Sequence, residues 1–252
     1  MLLKESQDDG TKGRSTAAIP LSDAEIDDLT RYLDVTRAEL LFARGVILVE
    51  GDAERFLVPA FAATMNKLLD SLGITICSVG GTNFVPYAKL LTGLKIPFSI
   101  ITDWDPGDED SDPLGHNRTR TLVSAIEQIR TGVVPKAVLD ELDAIEDPNE
   151  FCDRCEAFGI FSNVDTLEVD LFAGKFIGPI IKTLREGDFG KKRNAWIDGW
   201  KKDIKSLDRD NYLKLIEAIG KGCFAQRLVA HMEEAKPPRY IKAAIEFVAS
   251  HV

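Results

Sequence analysis

The chain has 252 residues, of which 44% are apolar, and its formal net charge is −10. This length and apolar content predict a folded protein with a substantial core and exclude a disordered chain. No apolar run approaches the roughly 20 residues of a membrane span, and residues 1–9 lack the basic start and apolar centre of a signal peptide. We therefore expect a cytoplasmic protein that makes no contact with a membrane.

The charge is distributed unevenly along the chain. Residues 175–252 contain 16 Lys and Arg against 10 Asp and Glu, which leaves 15 against 31 in residues 1–174. The negative total alone argues against a nucleic-acid partner. The distribution nevertheless allows an acidic part that holds metal and a basic part that contacts phosphate groups.

The first half of the chain alternates between helical and strand patterns. Residues 1–20 contain few large apolar side chains, and we expect them to form a flexible leader. Ser22 then has the position of a helix N-cap, and apolar spacing extends that helix to Phe42. The runs at 46–49, 74–79, 97–102 and 157–161 are predicted strands, with helices between them. This order predicts βαβ units and a mainly parallel sheet, an α/β fold over residues 21–174.

The remaining segments are predicted as a loop and as helices. Residues 106–113 are polar and rich in chain-breaking residues, which is typical of a loop. From residue 175 onward the pattern is helical only, so residues 175–252 are expected to form an additional all-helical lobe. The helices expected in this lobe cover residues 176–184, 195–207, 212–219, 223–232 and 240–248.

Two of the predicted strands end in carboxylates. Glu50 follows residues 46–49 and Glu54 lies in the first turn of the next helix, while Asp103 and Asp105 follow residues 97–102. Because parallel strands deliver their carboxyl ends to one edge of the sheet, these four side chains should lie close together. Crowded carboxylates repel one another and need a cation to stay ionised, and Mg²⁺ or Mn²⁺ suits oxygen ligands.

These carboxylates have a second interpretation, since acidic residues at strand ends also cap helices. On the metal interpretation, two ions could activate a water and stabilise the leaving oxygen of a phosphodiester. Glu168 and Asp170 supply further carboxylates after the fourth strand.

Cys152 and Cys155 have metal spacing, but the second pair that a zinc site requires is missing, so we expect ordinary thiols.

A basic cluster with interspersed tryptophans opens the helical part. It favours either a solvated helix face or a face that contacts DNA phosphates. The candidate DNA-binding residues are Lys191, Lys192, Arg193, Lys201 and Lys202.

Several motifs together resemble known families. The Glu50-Gly51 strand followed by Asp103-x-Asp105 resembles the TOPRIM fold, which is Rossmann-like with a mainly parallel sheet flanked by helices. A longer set of motifs is similar to the overcoming lysogenization defect (OLD) family. That set comprises residues 33–44, Glu54, Gly80-Gly81, Thr166-Leu167-Glu168 and Lys221-Gly222-x-Phe224-Ala225.

The OLD resemblance implies a metal-dependent DNA endonuclease that nicks and cuts duplex DNA. It implies metal ligands at Glu50, Glu54, Asp103 and Asp105, with Glu168 favoured over Asp170, and a functional lysine at Lys221. In that family an ABC-type ATPase region precedes the nuclease, whereas this sequence contains no GxxxxGK[ST] phosphate loop and so no nucleotide site. We therefore expect the nuclease part of a larger protein, which could form a homo-oligomer through its ATPase region.

Two alternatives remain open at this stage. The Asp103-x-Asp105 pair could instead begin a phosphatase of the haloacid dehalogenase type, with Asp103 as nucleophile. Such a motif usually opens its domain, and here two strands precede it, which leaves the Glu50 strand unexplained. The chain could also be a non-catalytic TOPRIM module that binds DNA or a partner.

Overall fold

Four parallel strands form a sheet at the centre of the molecule. The computed structural model describes residues 2–6, 10–33, 38–105, 113–163, 165–174, 176–232 and 236–252. The strands of the sheet are β3 (Gly45–Val49), β4 (Ile74–Ser78), β5 (Phe98–Thr102) and β6 (Ile160–Ser162). They have the order β4-β3-β5-β6, and each neighbouring pair is parallel, as predicted.

The two central strands are buried along their whole length. Every residue of β3 and β5 is buried, because helices cover both faces of the sheet and both faces therefore need apolar side chains. Val49 pairs with Ile101, so the residues that follow the two strands emerge at the same edge. This register brings Glu50 beside Thr102 and Asp103.

Helices cover the sheet on both sides. They are α1 (Asp23–Tyr32), α2 (Asp52–Thr64), α3 (Leu69–Leu72), α4 (Val85–Leu94), α5 (Leu114–Thr131), α6 (Lys136–Asp143), α7 (Pro148–Glu156), α8 (Leu167–Ala173), α9 (Ile177–Arg185), α10 (Lys191–Lys202), α11 (Arg209–Ile219), α12 (Lys221–His231) and α13 (Arg239–Ala249). Short 3-10 helices lie at Thr16–Ala18, Glu39–Leu41 and Ile204–Ser206. None of the helices in these described ranges is both long and apolar enough to cross a membrane.

The alternation of side chains along the strands separates two hydrophobic clusters. Val46, Leu48 and Ile100 pack with α4 to α7 on one face. Ile47 and Ile101 face the other side, where they pack with α2 and with helices α8 to α13. The period-two geometry of a strand is the reason that successive residues belong to different clusters.

The second cluster joins the sheet to the helical part of the chain. Helix α13 packs directly on β3, β5 and β6, and Ile245 lies in the same cluster as Ile47 and Phe161. The helices predicted beyond residue 175 therefore complete the core of the sheet. The domain boundary between residues 174 and 175 stays a prediction, and Lys175 itself lies outside the described residues.

The amino-terminal segment differs from the expected leader in its described part. β1 (Leu2–Ser6) and β2 (Gly10–Arg14) form an antiparallel pair, and Ile19 is buried. Backbone pairing needs few large apolar side chains, so composition did not reveal it. Met1 and residues 7–9 lie outside the described residues.

Several element boundaries also differ from the sequence prediction. Helix α1 begins after Ser22 with the expected capping box but ends at Tyr32, because Leu33 leaves the helical region with ψ at 63°. Residues 34–37 and most of the predicted loop, 106–112, lie outside the described residues. The fourth strand begins at Ile160 rather than residue 157, since Gly159 has a positive φ of 81° that interrupts an extended chain.

Candidate metal centre

Glu50 occupies the carboxyl edge of the sheet directly after β3. Its Oε1 accepts hydrogen bonds from the Thr102 hydroxyl at 2.5 Å and from the backbone N–H of Asp103 at 2.9 Å. Both donors lie at the end of β5, the neighbouring strand. The parallel register therefore links the two acidic strand ends, as the sequence predicted for this edge.

Glu54 lies one helical turn beyond Glu50, in the first turn of α2. Its Oε2 accepts a hydrogen bond from the backbone N–H of Gly51 at 3.2 Å, so this carboxylate also caps its own helix. Burial, together with the negative charges of Glu168 and Glu50, raises the pKa of Glu54 to about 7. Near neutral pH its proton is thus easily gained or lost.

Asp103 is held by two donors from a distant part of the chain. Its Oδ1 accepts from the backbone N–H of Leu167 at 3.0 Å and from the side-chain amide of Asn163. Burial raises the pKa of Asp103 well above its usual range, and the charges of Glu50, Glu54 and Glu168 act in the same direction. The carboxylates of these four residues therefore form one electrostatically coupled acidic cluster.

Glu168 and Asp170 occupy different positions on α8. Glu168 is 2% exposed, and its Oε1 lies 3.5 Å from the Lys221 ammonium. Its Oε2 is buried and has no hydrogen-bond partner among the described residues. Asp170 instead lines a neighbouring cavity with Gly174 and Tyr240. The structure therefore places Glu168 in the acidic cluster and Asp170 beside it.

Lys221 is the first residue of α12, which packs along α2. Burial opposes its charge, but the carboxylates of Glu168 and Asp103 outweigh that effect and raise its pKa above the ordinary value. The ammonium is consequently positive at neutral pH. It lies beside Glu168, at the edge of the acidic cluster.

Arg118, on α5, contacts the acidic residues of this site and was not singled out from the sequence. One guanidinium nitrogen, Nη1, donates to Glu50 Oε1 at 2.8 Å, and Nη2 donates to Asp105 Oδ2 at 2.7 Å. Asp105 has a positive φ of 49°, so at this residue the chain has left the extended conformation of β5. Arg118, rather than strand alternation, connects Asp105 to the cluster.

Asn163 is a second residue that the sequence did not reveal. It is 2% exposed and uses its carbonyl oxygen to accept from the backbone N–H of Trp104 at 2.8 Å, while its amide donates to Asp103. No local motif marks it, because it follows β6 and its partners follow β5. Only the pairing of those two strands brings them together.

The chemistry of the cluster suits a hard divalent cation. Buried carboxylates that raise one another's pKa lack sufficient counter-charge, and the unpartnered Oε2 of Glu168 is an available oxygen. In the arrangement observed for the described residues, no three His, Cys, Asp or Glu side chains are close enough to share one ion. Metal binding would therefore require side-chain movements within the cluster.

The basic residues predicted to contact DNA lie on α10. All five are exposed, and the Lys192 ammonium lies 5.7 Å from the centre of the Trp196 ring. Trp200, on the buried side of the helix, contacts Phe172 and Tyr212, and the Tyr212 hydroxyl donates to the backbone carbonyl of Glu168 at 3.0 Å. Aromatic packing thus connects the basic helix to the helix that carries Glu168.

The cysteine pair on α7 shows no sign of reactivity. Cys152 and Cys155 are free thiols. Burial raises their pKa values to about 11 and about 12, respectively, so both are protonated at neutral pH.

Known proteins resemble this chain in sequence and in structure. Residues 41–105 match the family model "Overcoming lysogenization defect protein-like, TOPRIM domain". A search of curated proteins found no match. Among solved structures, the C-terminal region of the Burkholderia pseudomallei OLD protein is 40% identical, with a TM-score of 0.69 over 83% of this chain and 98% of that one.

A second relative gives the same result. The C-terminal region of the Xanthomonas campestris pv. campestris OLD protein is 43% identical, with a TM-score of 0.70 over 83% of this chain and 95% of that one. This level of identity over nearly the full length of both relatives exceeds what a shared fold alone would produce. The chain belongs to the overcoming lysogenization defect family and contains its TOPRIM domain.

Proposed function

We propose that this chain is a divalent-metal-dependent DNA endonuclease that hydrolyses phosphodiester bonds in duplex DNA. The observation that carries the proposal is the acidic cluster of Glu50, Glu54, Asp103 and Glu168 at one sheet edge, with the Lys221 ammonium 3.5 Å from Glu168. Membership of a family with a TOPRIM domain supports a nuclease, because TOPRIM domains generally bind divalent metals.

The proposed ions are Mg²⁺ or Mn²⁺, and two of them. When bound, such ions would activate an attacking water and stabilise the leaving oxygen of the phosphodiester. The residues that would hold them are Glu50, Glu54, Asp103, Asp105 and Glu168. Asp170 is left out of this set because its side chain lines the neighbouring cavity.

Lys221 is proposed to contact the scissile phosphate. A fixed cation beside a carboxylate cluster can stabilise the negative charge that develops on the phosphate oxygens during hydrolysis. Its raised pKa keeps the ammonium charged at neutral pH. The side chain is also half exposed, so a phosphate group could reach it from solvent.

The exposed face of α10 is proposed to bind the DNA backbone. Lysines outside the cleavage site add affinity without sequence preference, because they neutralise phosphates and release counterions. By helical spacing, at about 100° per residue, Lys191 and Lys202 lie on the same side of α10, and Lys192 and Lys201 lie on its two flanks. Arg193 lies on the other side, where its guanidinium is 5.9 Å from the Phe189 ring.

We further propose that the chain acts in the cytoplasm as the nuclease part of a larger ATPase–nuclease. The free thiols agree with a reducing compartment. The family relationship supports an ABC-type ATPase region as the covalent partner, and oligomerisation would occur through that region.

Cleavage of supercoiled plasmid tests the proposal. The chain is incubated with plasmid in Mg²⁺, in Mn²⁺ and in EDTA, with Asp103→Ala as the active-site variant. Asp27→Ala, which changes an exposed carboxylate on α1, is the matched control. We expect nicked and then linear DNA with either metal, none in EDTA, and none with Asp103→Ala.

Cleavage by Asp103→Ala at the wild-type rate would contradict the metal site. If no plasmid is cut, retention of DNA by the intact protein would favour the non-catalytic module. The phosphatase alternative would require a phosphoaspartate on Asp103, trapped by a beryllium fluoride complex. It is disfavoured because a motif of that type usually opens its domain, whereas β3 and β4 precede Asp103 here.

A further inference from the structure

Arg118 bridges the ends of two neighbouring strands. Nη1 donates to Glu50 Oε1 at 2.8 Å, to the Thr102 hydroxyl at 2.6 Å and to the backbone carbonyl of Asp103 at 3.0 Å. Nη2 donates to Asp105 Oδ2 at 2.7 Å. Only 12% of the side chain is exposed, so the guanidinium is part of the site and not a surface cation.

The bonds to the two carboxylates follow a pattern. The hydrogen bonds that described residues donate to the Glu50 side chain all reach Oε1, and those to the Asp105 side chain reach Oδ2. The second oxygen of each carboxylate receives no donor from the described part of the chain. Within the described residues, one oxygen of each carboxylate is thus held by hydrogen bonds and the other is not.

The backbone that carries Arg118 is fixed against β5. At the start of α5, the N–H of Gly115 donates to the Trp104 carbonyl at 2.8 Å, and the N–H of Leu114 donates to the Asp105 carbonyl at 3.2 Å. A Cβ at Gly115 would lie 2.4 Å from the Trp104 carbonyl oxygen. Such close contact leaves Arg118 little freedom to swing away from the cluster.

We propose that Arg118 is a positioning residue for the metal centre. Its two nitrogens hold one oxygen of Glu50 and one of Asp105, and this fixes both carboxylates with their remaining oxygens free for a divalent cation. The inference rests on the proposed function, since it assigns a role within the same site. In metal sites generally, residues that do not bind the ion themselves donate hydrogen bonds to the ligating carboxylates and so orient them.

The rival interpretation is that Arg118 only supplies positive charge. A guanidinium that merely neutralises Glu50 and Asp105 would compete with a metal ion, and its removal would tighten metal binding. A guanidinium that positions the ligands has the opposite effect, and its removal weakens binding. The direction of the change therefore separates the two roles.

Titration with Mn²⁺, followed by electron paramagnetic resonance in the absence of DNA, measures this direction. Arg118→Gln removes both the positive charge and the planar guanidinium. Arg118→Lys keeps the charge, but a single ammonium cannot bridge two carboxylates in the way that a planar guanidinium does. Arg120→Gln is the matched control, because Arg120 lies on the same helix but is exposed and pairs with Asp143. Circular dichroism establishes that each variant is folded.

We expect the dissociation constant for Mn²⁺ to rise about tenfold or more in Arg118→Gln. The dissociation constant should also rise clearly in Arg118→Lys. In Arg120→Gln it should stay within about twofold of wild type, because Arg120 pairs with Asp143 and not with a proposed metal ligand. Unchanged or tighter binding in Arg118→Gln would overturn the positioning role. If that variant does not fold, wild-type affinity in Arg118→Lys would overturn it.

Failure of the proposed function would look different in the same experiment. If the wild-type chain bound no Mn²⁺, the metal centre itself would be refuted and the role of Arg118 with it. If wild type bound Mn²⁺ and the Arg118 variants bound it equally well, only the positioning role would be refuted. Because the measurement needs no DNA, neither result depends on cleavage activity.

Discussion

The Asn163 side chain spans Asp103 and Trp104, donating to the carboxylate of the first and accepting from the backbone N–H of the second. Both ends of one buried amide are therefore used at the end of β5. The arrangement fixes which Asp103 oxygen faces the protein. It also predicts that the stability of the protein depends on an amide donor facing Asp103, and not only on a side chain of this size.

Asn163→Asp tests that prediction, because it replaces the amide donor with a carboxylate of the same shape. A buried acceptor would then face Asp103 Oδ1, and we expect a loss of about 1–3 kcal/mol in the free energy of unfolding. Urea denaturation measures the loss. Asn149→Asp makes the same change beside Asp147 on the surface and should cost less than about 0.5 kcal/mol. Equal losses in the two variants would contradict a special role for Asn163.

The raised pKa of Glu54 predicts how stability depends on pH in metal-free protein. Its pKa is about 7 in the folded chain against 4.5 when unfolded, so the folded state binds more protons between these values. The free energy of unfolding should accordingly fall as pH rises from about 4.5 to 7, by on the order of 3 kcal/mol. Asp103 acts in the same direction.

Urea denaturation in EDTA at several pH values measures this slope for wild type and for Glu54→Gln. The Gln variant cannot titrate and should show a shallower decline. Excess Mg²⁺ should stabilise wild type more at high pH, since the ligands must lose their protons to bind. An identical slope in wild type and Glu54→Gln would show that the carboxyl is not perturbed as described.

Lys221→Met should separate cleavage from metal binding. Removing the ammonium takes away charge stabilisation at the phosphate, and we expect single-turnover cleavage to slow about 100-fold or more. The affinity for Mn²⁺ should not weaken, because the lost group is itself a cation near Glu168. Lys214→Met, an exposed lysine on α11, is the control. A parallel loss of metal binding would assign Lys221 a structural role instead.

Charge reversal on α10 should change both the affinity for DNA and its salt dependence. In the triple variant Lys191→Glu, Lys192→Glu, Lys201→Glu, fewer counterions would be released on binding, so log Kd should depend less steeply on log salt concentration. Filter binding at several salt concentrations measures the slope. Reversal of Lys95, Lys136 and Lys242 alters net charge equally and should leave the slope closer to that of wild type. Equal slopes in both triple variants would place the DNA elsewhere.

Gly115→Ala should destabilise the protein even though alanine favours helices. A Cβ at this position would meet the Trp104 backbone carbonyl at 2.4 Å, and we expect a cost of about 1–3 kcal/mol. Gly178→Ala is closely matched, because Gly178 is also the second residue of its helix and a Cβ there meets nothing within 4 Å. It should be neutral or stabilising by up to about 1 kcal/mol. Thermal unfolding that ranks the two variants in the opposite order would contradict the close approach.

Local patterns were sufficient to locate Glu50 and Asp103. Each follows a run of buried apolar residues, and the parallel-sheet rule alone brings such strand ends together. The sequence could not reveal Arg118, because its position depends on how α5 meets the backbone of β5. Asn163 contacts a partner 60 residues away, and no spacing within either segment records that contact.

Two features that the sequence predicted poorly share a backbone cause. Gly159 and Asp105 both have positive φ angles, at the start of β6 and after β5. Hydrophobic periodicity reports which side chains are buried and is insensitive to a single residue that turns the chain. Gly159 sets the start of β6 at Ile160, and the positive φ of Asp105 sets the direction of its own side chain.

The packing of α13 against β3, β5 and β6 has a consequence for synthesis of the protein. These strands leave the ribosome well before residues 239–249, and until α13 emerges, one apolar face of the sheet lacks its cover. The core of the sheet that carries Glu50 and Asp103 is therefore completed only after nearly the whole described chain has been translated. A nascent chain that stalls before this helix would therefore expose an apolar face of the sheet to chaperones.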